Sequence, residues 1–205
     1  MRKILEQTEH YFGSARPESG QNVNRVIACA QYFLAYYSRV RIFVAQRLRR
    51  IITAYPELVM IEVDKVADYL LVASRERGEN LTNLKLQKLL YYAQAWFLSI
   101  HDEPLFEGTF QAWVHGPVLT SQYARFKANT WRPIMDDVEA PELSPQIVTH
   151  LDEILDVFGT ESAIALEAMT HAEDPWREAR GNIPPDQSSS AAIKNETMKR
   201  YYRSL

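Results

Sequence analysis

NLKLQKLLYYAQAWFLSI, residues 83–100, is the stretch whose reading decides the fold. Its apolar side chains Leu86, Leu89, Leu90, Ala93, Phe97 and Ile100 recur at the period of an α-helix without a miss. Thr82 stands where an N-cap hydroxyl would accept from the first turn, and Leu81 and Leu86 take the positions of a hydrophobic staple across that cap. The spacing therefore predicts a long helix here, and the flanking segments organise around it.

On the upstream side Val63, Val66, Ala67, Leu70 and Leu71 mark an amphipathic helix, with Gly78 available as its stop. Downstream, residues 106–114 alternate weakly and read as one short strand or a hairpin arm. His115-Gly116-Pro117 then turns the chain, and Pro117 is placed to be the first residue of a helix through Tyr123 and Phe126. Residues 129–141, with Pro133, Asp136 and Asp137, read as an exposed loop. Ser144-Pro145 reads as a cap and first helical residue for a helix through Ile147, Leu151, Ile154, Leu155 and Phe158, closed by Gly159. Thr160 is expected to start another through Ile164 and Met169, and Asp174-Pro175-Trp176 a short one ended by Gly181. Residues 182–192 read as loop, and residues 195–205 as a last helix presenting Met198, Tyr201 and Tyr202 to the body. The expectation is a mainly α protein, a compact bundle of about six or seven helices with one short β-strand or hairpin.

Composition agrees with a packed domain. The 205 residues are 46% hydrophobic and 24% charged, which suffices for a core and argues against a disordered chain. The single cysteine, Cys29, excludes an intrachain disulfide and a cysteine-based metal cluster. The most apolar stretch, residues 26–45, is interrupted by Arg39 and Arg41 and is too short to span a bilayer. The polar residues 6–24 precede it, which is not the order of a signal peptide. A cytoplasmic protein without a membrane partner is expected.

Net charge divides the chain near Met60. Residues 1–59 carry nine Lys/Arg against four Asp/Glu, a net of +5, whereas residues 60–205 carry fourteen against twenty-two, a net of −8. Residues 23–55 also show a helical period, with six arginines and no acidic residue between Ser19 and Tyr55. They read as a basic helical extension that packs on a domain or touches an anionic surface.

No catalytic set stands out, and an enzyme is not expected. The five histidines include no pair at the spacing of a helical zinc site, and the seven glycines form no phosphate-binding loop. His171 with Glu173 and Asp174 could hold a metal only with a further ligand, while Asp174 also suits a helix cap. Neither metal nor cofactor is therefore expected. Lys85 and Lys88 beside Tyr91 and Tyr92 form a basic and aromatic group, yet the surrounding charge of −8 opposes a phosphate backbone, so these lysines suit acidic groups of the domain or of a protein partner. The aromatic content, with Trp96, Trp113, Trp131 and Trp176, fits either a core or an interface.

Three linked motifs carry a family resemblance. LKLQKLLYYAQAW at 84–96, QAWVHGPV at 111–118 and THAEDPW at 170–176 are followed by IKNETMKRYYRSL at 193–205. In order and spacing these resemble the Panacea domain, over residues 60–205. The resemblance implies a mostly helical fold and the role of antitoxin in a toxin–antitoxin pair, often borne by a prophage or other mobile element. It implies neutralisation of a cognate toxin, encoded by the adjacent gene, through direct protein–protein contact. SocA-like members act instead as proteolytic adaptors that deliver a bound toxin to a ClpXP-type protease, which makes such a protease a second partner to expect. The matching residues Leu84, Lys85, Gln87, Lys88, Tyr91, Tyr92, Trp113, Gly116, Pro117 and Trp176 serve either as scaffold or as interface. Lys85, Lys88, Tyr91, Tyr92, Trp113, His115 and Trp176 are the candidate partner-binding residues. Residues 1–59 have no counterpart in the resemblance. Two readings stay open for them: a helical accessory to the 60–205 domain, or an upstream stretch that is not native, with translation starting at Met60.

Overall fold

The computed structural model describes residues 60–205. The basic extension read over residues 1–59 lies outside the described residues. Among those residues there are seven α-helices, one 3-10 turn and one two-stranded antiparallel hairpin, so the chain is mainly α.

The order is α1 (Val63–Glu76), α2 (Asn83–His101), β1 (Phe110–Trp113), β2 (Gly116–Leu119), α3 (Thr120–Phe126), α4 (Pro145–Phe158), α5 (Ala163–Ala172), α6 (Asp174–Arg180) and α7 (Asn195–Arg203). Helix α1 buries Val66, Ala67, Leu70 and Leu71 and is closed by Gly78, whose φ of +82° lies in the left-handed region. Thr82 then caps α2, its hydroxyl accepting from the Lys85 N–H at 3.2 Å, with Leu81 and Leu86 both buried at the staple positions.

Helix α2 is the axis of the domain. It packs against α1, α3, α4, α5, α7 and β2, and every residue from Lys85 to Leu98 is buried. The apolar period found only half of this. Ile100 is only half-buried, whereas the polar positions between the leucines are interior as well. Those polar groups are satisfied by backbone groups of a loop and of β2. Gln94 Oε1 accepts from the Leu105 and Phe106 N–H groups and its Nε2 donates to Phe106 O, and Gln87 Oε1 accepts from Leu119 N–H at 2.8 Å. A helix can be buried all round only if its polar side chains find such partners.

Four local expectations are corrected. Pro117 lies in β2 and not in a helix, which begins at Thr120. It sits opposite Ala112, whose N–H bonds Ala191 O and whose carbonyl accepts from Arg180, so this pair exchanges no ladder bonds and the missing proline N–H costs nothing. Helix α5 is capped by Ser162 and not started by Thr160, because the Ser162 hydroxyl accepts from Ala165 N–H. Residues 129–141 are not simply exposed: Ile134 is fully buried and its N–H bonds Leu81 O at 2.8 Å. Finally, the cap position of α6 is Glu173, while Asp174 faces solvent and pairs with Arg177. No described helix is long and apolar enough to cross a membrane.

Candidate partner-binding surface

The candidate residues divide into an interior set and a surface set. Lys85, Lys88, Tyr91, Tyr92 and Trp176 are buried. Lys85 Nζ donates to Gly159 O at 2.6 Å and pairs with Glu79 at 3.3 Å, tying the start of α2 to the end of α4. Tyr91 and Tyr92 donate their hydroxyls to Glu173 at 3.3 Å each, and Tyr202 of α7 donates to the same carboxylate at 2.6 Å. Burial first, then the Glu173 charge, pushes both α2 phenols well above the usual tyrosine range. One carboxylate at the start of α6 thus fastens α2 and α7 together.

Lys88 is a fully buried amine that donates to Pro117 O at 3.1 Å on β2. Desolvation pulls its pKa down to about 7, against the opposing field of Glu167. The unfolded lysine keeps its proton up to the ordinary lysine value of 10.5. Between those two values the unfolded state binds more protons than the folded one, so stability rises with pH. Replacing Lys88 with methionine is expected to remove that rise, a slope of about 1.4 kcal/mol per pH unit, between roughly pH 7.5 and 9.5. Urea denaturation of both proteins across that range checks it; parallel curves would contradict it.

Trp176 stacks on His171 with ring centroids 4.0 Å apart, and its Nε1 donates to Trp113 O at 2.9 Å. Burial, then the Lys88 and Arg180 charges, holds His171 at about 3, hence neutral near pH 7, and its ring bonds the Val114 backbone. His171 and Glu173, two of the three residues weighed for a metal, are thus engaged inside the domain, and Asp174 points to solvent. Among the described residues no group of three or more His, Cys, Asp or Glu is placed to hold a metal ion.

The hairpin carries the remaining two candidates outward. Its turn is Val114-His115, between the paired Trp113 and Gly116. Neither turn residue has a positive φ; that burden falls on Gly116 at +91°. Trp113 is half-buried and meets Tyr123 of α3 edge to face at 5.0 Å, its Nε1 donating to Gln111. His115 is exposed, donates from Nδ1 to Glu167 Oε1 at 3.1 Å, and meets Trp131 edge to face at 5.7 Å. Tyr123 with Trp113 and His115 with Trp131 thus form two ring pairs at the hairpin. Ile164, 65% exposed, lies one turn from Glu167 on α5.

Trp131 and Met135, 70% and 68% exposed, are the most exposed large apolar side chains among the described residues, and the motif reading did not single them out as a site. The available signal was a tryptophan inside a segment read as exposed loop, where a core role is least expected.

The profile of the family described as "Antitoxin SocA-like, Panacea domain" matches residues 86–177. Antitoxin SocA of Caulobacter vibrioides (strain NA1000 / CB15N) is 32% identical over 129 residues, 57% of this chain and 69% of that protein. No solved structure matches the chain significantly.

Proposed function

We propose that this chain, which belongs to the SocA-like antitoxin family defined by the Panacea domain, neutralises a cognate toxin by direct protein–protein contact. The single observation that supports this most is the family match over residues 86–177, which runs from α2 into α6 and takes in Lys88, Tyr91, Tyr92, Glu173 and the hairpin. The role needs no catalysis, only a preformed surface. The candidate residues then act in two ways: Lys85, Lys88, Tyr91, Tyr92 and Trp176 hold the scaffold, and Trp113 and His115 belong to the contact.

The partner is a toxin encoded by the adjacent gene. Expression of that gene alone should arrest growth, and co-expression with this chain should restore it; a harmless neighbour, or one still toxic beside this chain, contradicts the reading. The likeness to Antitoxin SocA favours one second reading, delivery of the bound toxin to a ClpXP-type protease. Rescue that disappears in cells lacking ClpXP would select the adaptor mode over simple sequestration.

A further inference from the structure

We infer that the surface around Trp131 and Met135 docks a basic face of the toxin, one with an apolar socket rimmed by lysine or arginine. This rests on the antitoxin reading above and specifies the chemistry of the partner.

The first support is rigidity. Exposed Trp and Met side chains on a frayed loop would mean little, but this segment is anchored on both sides of Met135. Pro133 bridges to Thr82, and Ile134 is fully buried with its N–H on Leu81 O. Arg75 reaches from α1 to donate to Ile134 O at 3.0 Å and Asp136 O at 2.8 Å, and Asn129 donates to the Asp136 carboxylate at 3.1 Å. The backbone is thus held in place while the two apolar side chains point outward. Such preorganisation lowers the entropy lost on binding, and a rigid tryptophan is a favoured anchor.

The second support is charge. Most cations of the domain are spent within it: Arg77 on Asp152 and Asp156, Arg125 on Asp68, Arg200 on Glu178, Arg203 and Lys199 on Asp102. Beyond Met135 the chain runs through Asp137, Glu139 and Glu142, all exposed and none in an ion pair among the described residues. Lys127 precedes Trp131 and Arg132 directly follows it, so the acidic run begins past Met135. Past Met135 the segment therefore carries negative charge that has no ion-pair partner among the described residues, within residues 60–205 of net charge −8. A basic partner is steered to that segment, and its cations can also lie on the exposed indole face.

The test uses the full chain and the purified product of the neighbouring gene, with binding kinetics at several salt concentrations. The triple variant Asp137→Lys, Glu139→Lys, Glu142→Lys should slow association about tenfold at low salt and lose the salt dependence. Trp131→Ala should speed dissociation on the order of 30-fold. Both variants should melt with the wild type, since the altered side chains are exposed. If the wild type binds and both variants bind with unchanged rates, this inference falls while the antitoxin reading stands. If the wild type does not bind the neighbour's product at all, both fall.

Discussion

Replacing Glu173 with alanine is expected to destabilise the domain by about 3 to 5 kcal/mol, one of the largest effects available to a single side chain here. The reason is the convergence of Tyr91, Tyr92 and Tyr202 on this one buried carboxylate. Removing it strips three interior hydroxyls of a shared acceptor that water cannot replace in a packed core. The loss should be localised. Tyr202 is a buried polar tie of α7 to the body, and its ring meets those of Trp96, Tyr91 and Tyr92. Hydrogen exchange should therefore show residues 195–203 losing protection before α2 does. Glu173→Gln retains an acceptor of the same shape and should cost less than the alanine. Equilibrium denaturation of the two variants checks this; an alanine within about 1 kcal/mol of wild type would contradict it.

Gly116→Ala is the second large effect. Two costs add at this position. Its φ of +91° is one that an L residue adopts only with strain. In addition, a Cβ there would lie 2.7 Å from both Lys88 Nζ and Thr170 Oγ1, and both of those groups are buried. Strain contributes roughly 1–2 kcal/mol and overpacking roughly 1–3 kcal/mol. Gly78 supplies the control, because its φ is similar at +82° but nothing lies within 4 Å of its would-be Cβ. Gly78→Ala should thus show the strain alone. Melting both variants separates the terms, and equal losses at the two positions would refute the crowding.

Much of this architecture was legible in the sequence. The period of Leu86 through Phe97, the Thr82 cap and the Gly78 stop were read as they occur, because local chemistry alone determines them. What could not be read was the environment of the polar positions. Gln87, Lys88, Tyr91, Tyr92 and Gln94 look like the solvated face of an amphipathic helix until tertiary partners are known. Their partners are distant in sequence, as with Tyr91 and Glu173, or are backbone groups of loops, as with Gln94 and Phe106. The same gap explains Pro117. A proline after a turn fits a helix start and a strand equally well, and only the Ala191 and Arg180 bonds to Ala112 decide for the strand. At the surface, Trp131 was visible as a residue but not as a site. The segment that carries it is anchored by Ile134, whose N–H bonds Leu81 O, a long-range contact.

These observations divide the candidate residues into a buried set and a surface set. Five of the seven candidate positions hold the scaffold, and the hairpin tip carries the other two outward beside Trp131. Such a division suits a family whose fold is shared while its surface is free to change. A tolerant contact surface on a strongly tied interior would let related domains accept different partners without refolding.

The most direct measurement is a titration of the purified full chain into the purified product of the neighbouring gene, with no protease present, following complex formation and toxin activity together. The account predicts a defined complex and loss of toxin activity that reaches completion as the toxin is saturated. A toxin that stays fully active in the presence of excess chain, or that forms no complex with it, would contradict neutralisation by direct contact.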